Sequence, residues 1–163
     1  MVQSGKIQPP DPAVPAGHDI GYFDFVKRCI QKSAKNPVAF EGTLGVGSSI
    51  LKEWNDLHTD LKEFKAVNHG FGGARTWELL AYAEPLVVQF RPKVILLYCG
   101  SNDIRFGEQP DGIVARIKTF VDYVETALPG VHLIYISIHR APEKEDRWEW
   151  VSRTNAMVKA LTE

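Results

Sequence analysis

The chain has 163 residues, a formal net charge of −1, 44% apolar residues and 24% charged residues, which is the size and composition of one globular domain. The small net charge excludes a global field that would recruit nucleic acid or an anionic membrane. No apolar run approaches the roughly 20 residues that span a bilayer. Residues 1–17 lack the apolar segment of a secretory signal, and two cysteines are too few for a disulfide scaffold. The sequence therefore predicts a cytoplasmic protein.

The predicted elements alternate along the chain. Residues 1–17 contain four prolines and are expected to form an extended or disordered lead-in to a single domain over residues 18–163. Apolar residues recur at helical spacing from Asp19 to Ser33, which predicts a helix that ends before Asn36-Pro37. The later predicted elements are a strand within residues 38–46, a helix over 51–60, a strand over 64–68, a helix capped by Thr76, a strand over 93–99, a helix over 111–128, a strand over 131–138 and a helix over 143–161. Because strand and helix alternate four times, we predict a three-layer α/β/α sandwich with a parallel, flavodoxin-like sheet.

Small and polar residues follow three of the predicted strands. These turns are Gly47-Ser48-Ser49, Gly70 to Gly73 and Gly100-Ser101-Asn102-Asp103. In an open parallel sheet, ligands bind at the carboxyl ends of the strands. Three such turns at one edge therefore indicate a functional site.

The first turn considered alone also has two phosphate-binding interpretations. Residues Gly42 to Ser49 have the spacing of a P-loop, but Ser48 replaces the lysine that contacts the phosphates. The dinucleotide-binding fingerprint fails as well, because Ile50 stands where its third glycine is required. Both interpretations are therefore disfavoured.

Taken together, the three turns resemble the sequence blocks of the SGNH (GDSL) hydrolase family. Gly47-Ser48-Ser49, followed by Ile50 and Trp54, is similar to the nucleophile block of the Gly-Ser-Ser branch. The segment Asn68 to Gly73 is similar to the Asn-x-Gly-x-x-Gly block, and Gly100 to Asp103 is similar to the Gly-x-Asn-Asp block. Three blocks in the same order make the resemblance specific.

The resemblance extends from about Tyr22 to the end of the chain, and it implies an esterase or acylhydrolase that acts on small acyl or acetyl esters. It implies that Ser49 is the nucleophile, and that the oxyanion is stabilised by the backbone N–H groups of Ser49 and Gly73 and by the side-chain amide of Asn102. We expect Asp103 to hold its own turn through local backbone bonds. No cofactor or metal is expected, because no group of His, Cys or carboxylate residues has ligand spacing.

The general base is missing from the sequence. The family takes it from a final Asp-x-x-His block, and none of the five histidines here follows an aspartate by three positions. Three explanations stay open: a truncated chain that lacks the last strand and helix of the fold, which we favour; replacement by a histidine already present, of which His139 is the best placed; or a non-catalytic ligand-binding or interaction domain of the same fold.

The missing base and the missing edge strand lead to expectations about activity, partners and self-association. A serine without its base is a poor nucleophile, so the 163-residue chain is expected to have activity close to background. A small-molecule ester is the expected partner, with no nucleic acid and no membrane. A sheet without its edge strand would also expose apolar surface, which favours self-association.

Overall fold

The computed structural model describes residues 8–34 and 41–161. In this part of the chain, four parallel strands form one sheet in the order β2-β1-β3-β4. The strands are β1 (Thr43–Gly47), β2 (Val67–Gly70), β3 (Val94–Tyr98) and β4 (His132–Tyr135). The helices are α1 (Phe23–Ala34), α2 (Ser49–Glu53), α3 (Leu57–Asp60), α4 (Thr76–Ala81), α5 (Ala83–Leu86), α6 (Ser101–Arg105), α7 (Pro110–Ala127) and α8 (Trp148–Ala160), with 3-10 segments at Lys62–Phe64, Val88–Phe90 and Pro142–Arg147.

Alternate side chains of the central strand β3 pack on opposite faces of the sheet, as the two-residue period of a strand requires. Ile95 and Leu97 are fully buried in the larger core, which contains residues of α1, α4, α5 and α7. Tyr98 packs on the other face, where its apolar neighbours include Leu51 of α2 and Leu57 of α3. Helices therefore cover both faces, and the predicted three-layer α/β/α sandwich with a flavodoxin-like strand order is confirmed.

The first helix begins at Phe23, so the predicted start at Asp19 is wrong. The backbone of Gly21 is hydrogen-bonded to two side chains, Glu78 in α4 and Tyr82 just after α4. Its N–H donates to Glu78 Oε1 at 3.3 Å, and its carbonyl oxygen accepts from the Tyr82 hydroxyl at 2.7 Å. Both backbone polar groups of Gly21 are bonded to another part of the chain. The segment before Phe23 therefore packs along α4 instead of forming a helical turn.

Some predicted segments lie partly outside the described residues. This applies to residues 1–7 of the predicted lead-in and to residues 38–40 of the strand predicted within 38–46. Residues 8–22 contain no helix or strand, and the described part of the first strand is β1, which runs to Gly47.

The helix predicted over residues 51–60 is instead two short helices, α2 and α3. The side-chain amide of Asn68 donates to the carbonyl oxygens of Leu51, at 2.5 Å, and of Trp54, at 3.2 Å. These bonds end α2 because they fix its last carbonyls against β2 rather than against a following helical turn. The interruption therefore depends on a residue that the local pattern does not contain.

Two further boundaries differ from the prediction. β2 begins at Val67 rather than at residue 64, because Lys65 adopts the left-handed conformation with φ +50° and separates a 3-10 turn from the strand. The helix predicted over residues 143–161 begins regularly only at Trp148. Within the preceding 3-10 segment, Lys144 is non-helical with φ −128°, and its ammonium group turns inward to Ser101.

The longest helix in the described residues is α7, which has 18 residues. Its buried side includes Ile113, Ile117 and Phe120, whereas Lys118 and Asp122 form an ion pair on its exposed side. None of the helices in residues 8–34 and 41–161 combines the length and the apolar composition that are needed to cross a membrane.

Candidate functional site

The first turn is held against β3 by the backbone of Tyr98. Gly47, the last residue of β1, has φ +131°, and a Cβ atom there would lie 2.0 Å from the carbonyl oxygen of Tyr98. Only glycine fits this position. The following residue, Ser48, donates its backbone N–H to the same oxygen at 2.8 Å. Ser49 then begins α2 at a point that β3 has fixed.

The two adjacent serines have opposite environments. Ser48 is fully buried, and its Oγ accepts a hydrogen bond from Asn102 Nδ2 at 2.7 Å. Ser49 is exposed, and no hydrogen bond of its hydroxyl is found within the described residues. A nucleophile must reach its substrate, whereas a buried and bonded hydroxyl positions its partner. This difference supports Ser49 rather than Ser48 as the reactive serine.

Asn102 connects the first and second turns. Besides its bond to Ser48, its Nδ2 donates to the carbonyl oxygen of Ala74 at 3.0 Å. Ser48 and Ala74 are the sequence neighbours of Ser49 and Gly73, so Asn102 lies between the two predicted positions. Both hydrogens of the Asn102 amide have partners here, which the sequence did not reveal. Donation to an oxyanion would therefore require one of these bonds to be given up.

Gly73 lies in the turn between β2 and α4 with φ +84°. The space where its side chain would begin is filled by the hydroxyl of Tyr22, which lies 2.4 Å from an ideal Cβ position. Tyr22 was not identified as a site residue from the sequence. No local signal could have identified it, because 51 positions separate the two residues.

Asp103 joins the third turn to the start of α4. It is fully buried and accepts bonds from the Thr76 N–H at 2.9 Å and from the Thr76 hydroxyl at 2.5 Å. The expectation that Asp103 holds mainly its own turn is therefore wrong, since its main partner lies 27 residues away. Thr76 also does not cap α4 as predicted: Arg75 occupies the cap position, and Thr76 is the first helical residue.

The charge of Asp103 is balanced by its neighbours. Burial raises the pKa of Asp103, while the bonds from Thr76 and the Arg116 guanidinium, whose Nη2 lies 3.8 Å from Asp103 Oδ1, oppose the rise. Arg116 also donates from Nε to the Thr76 hydroxyl at 2.7 Å and pairs with Glu108. This network stabilises the turns and leaves Asp103 with no access to a substrate.

A second cluster of polar side chains lies at the end of β3, on the side of β4. The Tyr98 hydroxyl lies 2.9 Å from His139 Nδ1, and burial raises the pKa of Tyr98. The ammonium group of Lys144, a buried residue, donates to Ser101 Oγ at 2.7 Å. His139 is exposed, and in the described part of the chain no hydrogen bond connects it to Ser49. The structure thus brings Asn102 to the neighbours of Ser49 and Gly73 but does not pair His139 with the serine.

The chemical groups at the site are a hydroxyl, an amide and backbone N–H groups. In residues 8–34 and 41–161, no three His, Cys, Asp or Glu side chains come together as metal ligands would. An exposed hydroxyl beside hydrogen-bond donors is an arrangement suited to attack on an acyl carbonyl.

Comparison with known proteins finds a hydrolase family and hydrolase structures that are similar to this chain. The model of the GDSL-like lipase/acylhydrolase family matches residues 43–163. A protein from Bacteroides fragilis assigned as an acylhydrolase has a TM-score of 0.75 at 20% identity, with 87% of this chain and 74% of that one covered. A GDSL-like lipase from Bacteroides thetaiotaomicron has a TM-score of 0.72 at 19% identity, covering 84% and 72%.

A third similar structure is the acetyl xylan esterase AlAXEase, with a TM-score of 0.59 at 15% identity and 74% of each chain covered. At these identities the structural similarity shows the shared fold. No curated protein has a sequence that matches this chain significantly.

Proposed function

We propose that this chain, which belongs to the GDSL-like lipase/acylhydrolase family, cleaves small acyl or acetyl esters through an acyl-enzyme on Ser49. Membership of the family makes it an SGNH-type hydrolase of ester substrates. The choice of residue depends on one observation: Ser49 is exposed with an unbonded hydroxyl in the described structure, whereas the Ser48 hydroxyl is buried against Asn102.

In the proposed reaction, Ser49 Oγ bonds to the carbonyl carbon of the ester and the carbonyl electrons move to its oxygen. The backbone N–H groups of Ser49 and Gly73 and the amide of Asn102 donate to this oxyanion. Collapse breaks the bond to the alcohol, which leaves with the proton of the serine, and water then releases the acid. Loss of one such donor typically lowers the rate by about 10²–10³.

The donor role of Asn102 requires a local exchange of hydrogen bonds. Its amide is bonded to Ser48 Oγ and to the Ala74 carbonyl oxygen. We propose that the bond to Ser48 is the one released, because a serine hydroxyl can rotate to another partner whereas a backbone carbonyl is fixed. Ser48 is therefore proposed as the residue that holds Asn102 in place until the oxyanion forms.

We also propose that the 163-residue chain turns over slowly. No base is hydrogen-bonded to the Ser49 hydroxyl within residues 8–34 and 41–161, and loss of a member of a catalytic triad lowers turnover by about 10⁴–10⁶. The same observation favours a second candidate function, a non-catalytic ligand-binding domain that keeps the oxyanion pocket. A cytoplasmic location and self-association stay predictions from the sequence.

Labelling with a fluorophosphonate probe tests these proposals, because the probe reacts only with an activated serine. We expect slow labelling of the 163-residue chain that is absent from Ser49→Ala, and p-nitrophenyl acetate turnover close to background. Labelling that persists in Ser49→Ala would overturn the assignment of the nucleophile. Rapid turnover that depends on Ser49 would contradict the proposed slow reaction. The absence of both labelling and turnover would favour the non-catalytic binding domain.

A further inference from the structure

A segment before the first helix packs against the turn that contains Gly73. This segment, the strap, consists of residues His18–Tyr22. The backbone of Gly21 binds Glu78 and the Tyr82 hydroxyl, and the His18 ring lies 5.1 Å from the ring of Trp77, measured between centroids. The strap is therefore held to α4 and to Tyr82 through its first and fourth residues, His18 and Gly21.

Tyr22 ends the strap in an uncommon backbone conformation. Its φ is +68°, in the left-handed region that non-glycine residues seldom adopt. Its ring packs on Phe71 with 5.0 Å between centroids, and its hydroxyl fills the space beside Gly73 that a side chain would occupy. Backbone strain of this kind persists where the surroundings hold it, and it is found frequently at ligand sites. The strap thus directs one phenol at one face of the proposed oxyanion turn.

The hydroxyl of Tyr22 has no hydrogen-bond partner among the described residues, although the side chain is half-buried. A polar group in such a place is normally satisfied by protein, water or ligand. Burial raises the pKa of Tyr22, with Glu78 adding to the rise and Arg75 opposing it. The phenol is therefore protonated at neutral pH and able to donate a hydrogen bond.

We infer that Tyr22 contacts the substrate, and that its hydroxyl donates a hydrogen bond to the carbonyl oxygen of the ester beside the Gly73 N–H. This inference rests on the proposed function, since it takes Gly73 as part of the oxyanion site. A phenol is one of the donor types that stabilise developing negative charge on oxygen. The contact is non-covalent, so no bond is formed or broken by Tyr22.

The test uses the full 163-residue chain and a ligand that requires no turnover. Acetate carries a negatively charged oxygen on an acyl carbon and is the acid released from an acetyl ester. We expect acetate to shift the ¹³Cζ NMR signal of Tyr22, and Tyr22→Phe to weaken acetate binding about tenfold, the usual effect of one hydrogen bond to a charged group. Tyr22→Phe keeps the ring on Phe71, so the fold is expected to be unchanged.

Tyr123→Phe is the matched control. The Tyr123 hydroxyl donates to Glu84, so this variant also loses one phenolic hydroxyl but should bind acetate as the parent chain does. Equal affinity in Tyr22→Phe, or no binding of acetate by the parent chain, would overturn the inference. Failure of the proposed function has a different signature, because fluorophosphonate would then not label Ser49 although Tyr22 still responded to acetate.

Discussion

The two sides of the carboxyl edge of the sheet differ in how their candidate site residues are bonded. On the β1–β2 side, Ser48, Asn102 and the Ala74 carbonyl form a connected group, and Asp103 ties the third turn to Thr76. On the β4 side, His139 is exposed and makes one hydrogen bond, to Tyr98, among the described residues. The outer edge of β4 has no neighbouring strand in the described structure, and Ile134 is 52% exposed.

The difference indicates which part of the chemistry the described residues provide. Stabilisation of the proposed oxyanion requires positioned donors, and on the first side Ser48 and the Ala74 carbonyl hold the Asn102 amide in one position. Activation of the hydroxyl depends on a base within hydrogen-bond reach, and neither side supplies one in the described part of the chain. Substitutions at Gly47, Asp103, the two serines and His139 test this difference between the two sides.

Gly47→Ala is expected to have the largest effect. A Cβ atom at this position would overlap the Tyr98 carbonyl and φ is +131°, so we expect a loss of about 4 kcal/mol or more in the free energy of unfolding. Gly107→Ala is the control, because Gly107 also has positive φ but nothing lies within 4 Å of its Cβ position. Its expected cost is about 1 kcal/mol. Equal urea midpoints for the two variants would show that β3 does not fix the first turn.

Asp103→Ala is expected to lower the free energy of unfolding by about 3 kcal/mol, because it leaves the N–H and hydroxyl of Thr76 without their buried acceptor and removes a buried charge that lies near Arg116. Asp111→Ala removes a carboxylate of the same type from an exposed pair with Arg153. That control should change stability by less than about 1 kcal/mol. Similar losses in urea titrations of the two variants would contradict the structural role assigned to Asp103.

Ser48→Ala and Ser49→Ala form a matched pair. Ser48→Ala removes the buried acceptor of the Asn102 amide, so a loss of about 1–2 kcal/mol in unfolding free energy is expected. Ser49→Ala alters an exposed hydroxyl and should change stability by less than about 0.5 kcal/mol. Thermal denaturation measures both. A larger loss for Ser49→Ala would reverse the roles proposed for the two serines.

His139→Ala is expected to have the smallest effect. The variant loses one bond to Tyr98 at an exposed position, so the cost in unfolding free energy is about 1 kcal/mol or less. The slow fluorophosphonate labelling of Ser49 should be unchanged, because the one hydrogen bond of His139 in the described structure goes to Tyr98 and not to Ser49. Abolished labelling in a folded His139→Ala protein would identify His139 as the base and remove the contrast between the two sides.

Much of the fold could be predicted from the sequence. The apolar run that forms β3 and the amphipathic repeat of α7 are local patterns, and both elements were found within a few residues of their predicted bounds. The break between α2 and α3 could not be predicted, because it depends on the Asn68 side chain. The start of α1 was missed for the same reason, since Glu78 and Tyr82 bind the backbone of Gly21.

In the candidate site, the three turns, their order and hence the hydrolase family could be recognised from the sequence, because glycine, serine and asparagine at fixed spacing are local features. The three-dimensional structure was needed to show which serine is buried, which partners Asn102 and Asp103 bind, and that Tyr22 lies against Gly73. These properties arise from contacts between residues 27 to 54 positions apart. Burial and hydrogen-bond partners are set when distant segments pack together. Local sequence patterns therefore do not predict them.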